Sequence, residues 1–200
     1  MTDRIDDRSS VTRYRQYLRC LAMLLLLGTS SLQADPLNDA IVAMEALQMT
    51  WLEKEQSRPG VSIKPFSTDG CSGGLSDAWS YLAQTIPAFR QHFGERPPWQ
   101  ECCVVHDKAY WRGDTEQGYQ YRLAADKALR ICVEQTGAQN SAALSKQFDL
   151  TEDEIIQMFN ISAAMMYQAV RVGGKPCSYL PWRWGYGWPQ CSPYIEVGHE

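Results

Sequence analysis

The chain predicts an all-α protein linked by disulfides. Apolar residues recur at three- and four-residue steps over several stretches. No stretch alternates as a half-buried strand does. The cysteines become even in number once an N-terminal leader is set aside. Additional N- and C-terminal helices are expected on either side of a central antiparallel pair.

Residues 1–34 read as a signal peptide. Arg13, Arg15 and Arg19 precede the apolar run Leu21–Leu27, and small residues lead to a cleavage point after Ala34. The run is far shorter than the roughly 20 residues a membrane-spanning helix needs. Cys20 lies ahead of the apolar core, out of place for lipid attachment. The expected product is a single exported domain over residues 35–200, periplasmic or secreted.

Cleavage leaves Cys71, Cys102, Cys103, Cys132, Cys177 and Cys191. An even set in an exported chain favours disulfides over thiolate metal sites. The leader takes five of 19 basic and three of 23 acidic residues, so the mature net charge is near −6. With no basic patch, nucleic acid is excluded as a partner.

The elements follow from punctuation and period. Asn38 or Asp39 suits the cap of a helix with Ile41, Met44, Leu47 and Trp51 on its apolar face, ending before Pro59-Gly60. Residues 61–75 read as a Gly- and Pro-containing loop. Residues 76–93 are helical up to Pro87, and Pro97-Pro98 opens a helix to about Arg112. Gly113 to Gly118 turns the chain into a third helix, Tyr119 to about Glu134, and Gly137 to Asp149 reads as a connecting loop. Thr151 and Glu154 have capping-box spacing, with Leu150 and Ile155 as a hydrophobic staple. That helix runs to Val172 and stops at Gly173-Gly174.

Six cysteines allow 15 pairings, and excluding the neighbours Cys102 and Cys103 leaves 12. If the two central helices form an antiparallel hairpin, facing residues share a nearly constant sum. Cys102 with Cys132 and Ala109 with Ala125 both give 234, and His106 with Asp126 gives 232. One register therefore brings together two cysteines, two small residues and a His–Asp pair. Asp126 then orients the His106 ring and stabilises its protonated form. Asp107 points elsewhere, because adjacent helical side chains diverge. A carboxylate beside the glycine-rich loop Thr68–Gly74 suits calcium.

These residues resemble the secreted phospholipase A2 family, whose signature is Cys-Cys-x-x-His-Asp on one helix and an Asp six residues before a Cys on an antiparallel one. Cys102, Cys103, His106 and Asp107 match the first part, and Asp126 and Cys132 the second. The resemblance spans roughly residues 65–133. Ala109 and Ala125 stand where that family has a further cysteine pair. By the resemblance Cys102 pairs with Cys132, Cys71 with Cys103, and Cys177 with Cys191. It also implies that Tyr110 hydrogen-bonds Asp126, and that Asp107 binds Ca2+ with the carbonyls of Gly70, Ser72 and Gly74. The implied function is calcium-dependent hydrolysis of the sn-2 ester of glycerophospholipids. The rival expectation is a catalytically inactive binding module for lipid, glycan or protein.

The tail, with Trp182, Trp184, Tyr186 and Trp188, has two readings of equal weight: a membrane-interface anchor or a packed minicore. Met165-Met166 reads as core. Asn160-Ile161-Ser162 matches a glycosylation sequon inside an expected helix and is set aside. No serine-hydrolase elbow, zinc-protease or phosphate-loop pattern is present.

Overall fold

The structure is a computed structural model that describes residues 36–71 and 75–192. The expected signal peptide lies outside the described residues. Among those described, six helices run in order: α1 (Pro36–Gln56), α2 (Leu75–Thr85), α3 (Pro87–Phe93), α4 (Gln100–Arg112), α5 (Gly118–Phe148) and α6 (Glu152–Gly173). Among the described residues there is no strand. Three disulfides close the chain: Cys71–Cys103, Cys102–Cys132 and Cys177–Cys191, with Cα separations of 5.2, 5.7 and 5.0 Å.

α4 and α5 are antiparallel in the anticipated register, with Cys102 bonded to Cys132 and His106 opposite Asp126. Gly113 makes the turn possible. It caps α4 in the left-handed region, at φ 59°, where a side chain would be strained.

The loop expected over Gly137–Asp149 is instead the second half of α5. Gly137 does not break the helix; it admits the neighbouring one. A Cβ there would lie 2.4 Å from the Cβ of Phe159 on α6, so only glycine lets the two helices meet at this point. Leu129, Val133 and Leu144 of α5 pack with Ile155, Phe159 and Ala163 of α6, and this burial outweighs the roughly 1 kcal/mol helix cost of one glycine. α5 ends at Asp149, φ 56°, and α6 opens with the Thr151–Glu154 capping box. Ile155 is buried and Leu150 is exposed.

Two other expectations shift. The run after residue 76 divides into α2 and α3 because Pro87 forces Ile86 into an extended conformation, φ −119°, ψ 98°. α4 starts at Gln100, with Pro97 in the turn before it. The larger correction concerns α1. Ile41, Met44 and Leu47 are exposed, and the buried positions are Glu45, Met49 and Leu52. The helix is turned to bury an acid.

Two apolar clusters result. One joins Trp99, Cys102, Cys103, Leu129, Val133 and Phe159; the other joins Met49, Leu52, Tyr110, Trp184 and the Cys177–Cys191 bridge. Cys103 belongs to the first and Tyr110 to the second, so His106 lies about one turn of α4 from each. Trp184 is 1% exposed and belongs to the second cluster, whereas Trp182 and Trp188 are half-buried. The tail packs as a minicore.

Gly137→Val places two methyl groups where Phe159 stands. It is expected to lower unfolding free energy by about 2–3 kcal/mol, measured by urea denaturation, without altering helical content.

Candidate functional site

His106 faces α5 because α4 buries Cys102, Cys103, His106 and Tyr110 along one side. Its Nε2 lies 3.0 Å from Asp126 Oδ1, with both side chains almost wholly buried. An ionised carboxylate only accepts, so the nitrogen that faces it, Nε2, carries a proton. Among the described residues no protein group bonds Nδ1. Tyr110 lies one turn along α4 and donates its hydroxyl to the same Asp126 oxygen at 2.6 Å. Burial, and then the Asp126 charge, pushes the Tyr110 hydroxyl well above its ordinary pKa, so it remains a donor.

Sequence reasoning missed three residues around this pair. Arg122, one turn before Asp126, grips Glu45 of α1 with two bonds of 2.6 Å. It also reaches Asp126 Oδ2 at 3.3 Å and the Val170 carbonyl at 3.0 Å. Arg171, near the end of α6, binds Asp126 Oδ2 at 2.8 Å and Glu45 Oε2 at 3.3 Å. Two acids and two guanidinium groups thus neutralise one another in a nearly dry space. Burial by itself would raise the Asp126 pKa. Hydrogen bonds from His106 and Tyr110, the Arg122 charge and the Arg171 bond outweigh it and hold the carboxyl below the usual range. The available signal was the Arg122–Asp126 spacing of four, which puts a cation and an acid on one helix face.

Asp107 points away from the pair. Thr68 donates its hydroxyl to Asp107 Oδ2 at 2.5 Å and accepts from the Gly70 amide at 2.9 Å. The Cys71–Cys103 bond staples this loop one turn before Asp107, since residues four apart share a helix face. Gly70 has φ 79°, and a Cβ there would overlap the Gln100 side chain. The other two expected calcium ligands, Ser72 and Gly74, lie outside the described residues. Of the expected set, the structure links Asp107 and Gly70 through the Thr68 hydroxyl.

The tail completes the loop's support. Lys64 donates its amide to the Gly187 carbonyl, Trp111 its indole to the Lys64 carbonyl, and Tyr186 its hydroxyl to the Ser67 carbonyl, at 2.8, 2.8 and 2.7 Å. The tail also caps α4: Gly185, Gly187 and Trp188 donate to the carbonyls of Tyr110, Trp111 and Arg112.

Burial pushes the Asp107 carboxyl up to about 6, with Asp69 adding to it, against the lowering effects of Thr68 and His106. A half-buried oxygen donor whose charge is disfavoured suits a hard cation, which would offset that cost. Among the described residues no group of three His, Cys, Asp or Glu side chains gathers for a metal. A cation bound by Asp107 would need backbone carbonyls for its other ligands. A cavity of about 480 Å³ opens beside this loop, lined by Thr68, Asp69 and Gly70 together with Arg90, Arg96 and Gln100.

No family model, curated protein or solved structure matches this chain. Fold and site together define a protein that is all-helical among the described residues, closed by three disulfides, with a buried His–Asp–Tyr group backed by three further charges, Glu45, Arg122 and Arg171.

The Asp107 carboxyl holds its proton to about pH 6 in the folded chain, but only to the ordinary aspartate value of 3.8 once unfolded. Between those values the unfolded state loses the proton first, so stability falls as pH rises and stays lower above about 6. In chelator at pH 7, Asp107→Asn is expected to be more stable than wild type by about 1 kcal/mol after discounting for its partial exposure. The gain should vanish near pH 3; an equal gain at both pH values in thermal melts would contradict this account.

Proposed function

We propose that the mature chain is a calcium-dependent esterase of phospholipase A2 type, releasing the sn-2 fatty acid from glycerophospholipids after export and signal cleavage near Ala34. The observation that carries this reading is the buried His106–Asp126 bond of 3.0 Å, one residue from a carboxylate held by a stapled glycine loop. A His with one nitrogen tied to an acid and the other free is a general base. An adjacent hard-ligand carboxylate is what oxyanion chemistry at an ester asks for.

In this mechanism His106 Nδ1 accepts a proton from water as the water oxygen bonds to the ester carbonyl carbon. Asp126 stabilises the imidazolium through Nε2–H, and Tyr110 keeps the carboxylate oriented. When the tetrahedral centre collapses, the C–O bond to the glycerol oxygen breaks and His106 returns the proton to that oxygen. Asp107, with the carbonyls of Gly70, Ser72 and Gly74, would hold Ca2+. Bound there, the ion supplies Lewis-acid polarisation of the ester and stabilises the developing oxyanion. Of the three tail tryptophans, Trp182 and Trp188 keep surface to offer a membrane interface.

The test is fatty acid release from vesicles of a phospholipid with different sn-1 and sn-2 chains. Wild type should release the sn-2 chain only, and a calcium chelator should abolish the release. His106→Gln is expected to lower turnover by about 10²–10⁴-fold while melting near the wild-type temperature. No release by wild type in calcium would favour the rival reading, a catalytically silent binding module; release unchanged in His106→Gln would remove His106 from the reaction and overturn the mechanism above.

A further inference from the structure

The two oxygens of Asp126 have separate work. Oδ1 accepts from His106 at 3.0 Å and Tyr110 at 2.6 Å. Oδ2 accepts only guanidinium N–H groups, from Arg171 at 2.8 Å and Arg122 at 3.3 Å. The terminal torsion of an aspartate is soft, so the carboxylate plane is fixed only when both oxygens are held. Arg122 is poorly placed to do this alone. Its shortest bonds go to Glu45, and it also donates to the carbonyls of Val170 and Arg171.

Arg171 has the shorter bond and a different origin. It comes from α6, outside the α4–α5 pair that carries His106 and Asp126. Its own guanidinium is fixed by Glu45 Oε2 at 3.3 Å and lies 5.4 Å from the centre of the Tyr119 ring. A planar fork held at two edges and over an aromatic face presents its N–H in one direction. Arg171 also keeps 15% side-chain exposure where Arg122 has none, so substitution there leaves water able to reach the gap.

We infer that Arg171 is a positioning residue of the His106–Asp126 pair: reaching from α6, it sets the plane of the Asp126 carboxylate so that Oδ1 meets the imidazole. Its catalytic consequence rests on the esterase reading above, but the geometry is measurable without turnover. The readout is the His106 Nε2–H proton, seen by nitrogen-correlated NMR of the full mature protein, alongside kcat, KM and a thermal melt.

In Arg171→Gln the side chain keeps hydrogen-bond donors but loses the charged fork. The Nε2–H signal should broaden or exchange with water at least about 10-fold faster. In active protein kcat should fall roughly 10- to 100-fold with KM within about twofold. Arg171→Lys keeps the charge but cannot span both acids, and should lie between Gln and wild type in both readouts. An Nε2–H signal unchanged in Arg171→Gln overturns the inference, whether or not the protein hydrolyses lipid. If Gln prevents folding, the Lys variant decides: an unaltered signal overturns the inference and faster exchange supports it. Wild type that shows the signal but releases no fatty acid defeats the esterase reading alone. Equal changes in kcat and KM, not relieved by Lys, would mark a merely structural role.

Discussion

Four charges that have left water hold this molecule in one arrangement. Glu45 of α1, Arg122 and Asp126 of α5, and Arg171 of α6 form a closed set in which each cation touches both acids. Three of the four have no exposed side-chain surface. Apolar side chains of equal volume would often hold such helices as tightly, so adhesion is a weak account of the set. Removing a single member would strand a buried charge, at roughly 3–5 kcal/mol. The cluster therefore penalises every other rotation of α1 and α6 about α5. It explains why α1 turns Glu45 inward and leaves Ile41, Met44 and Leu47 outside, against its apolar pattern.

That constraint marks where the sequence is readable. The α4–α5 register is legible because disulfides need cysteines within a narrow distance, and a single antiparallel register satisfies them and the His106–Asp126 pair at once. The Thr151–Glu154 cap is legible because its chemistry is local. Glu45, Arg122 and Arg171 are not, since a charge on a helix ordinarily faces solvent and their partners lie as many as 126 residues apart. Gly137 misleads for a related reason. Its backbone freedom is visible in the sequence, whereas its use, admitting Phe159, depends on a helix that has yet to pack. The weight of the Trp-rich tail is open in the sequence for the same cause, since the buried place of Trp184 and its indole bond to the Asp114 carbonyl depend on a partner 70 residues away.

The loop before Asp107 shows a second economy of design. It has no regular hydrogen bonding of its own, so its backbone groups must find partners elsewhere. The tail supplies them through Gly187 and Tyr186, while Cys71–Cys103 anchors the other end. Burial first, and then the charges of Asp107 and Asp69, keeps the Tyr186 hydroxyl protonated and able to donate. A segment with little internal order is thereby held from two sides against a fixed helix.

His106 and Asp107 are neighbours in sequence yet belong to different surroundings, and the helix itself is the cause. Consecutive side chains leave α4 about 100° apart. One therefore turns toward α5 and the charge cluster, and the other toward the loop and the tail. In the proposed esterase, His106 would need a dry, rigid acid behind it, and Asp107 an open approach and backbone oxygens. A single helix meets both demands only if different elements close its two sides. Here α5, backed by α1 and α6, closes the first, and the disulfide-anchored loop with its tail closes the second. Residues 135–192 thus act on both halves of the site, through Arg171 behind the imidazole and Tyr186 beside the carboxylate.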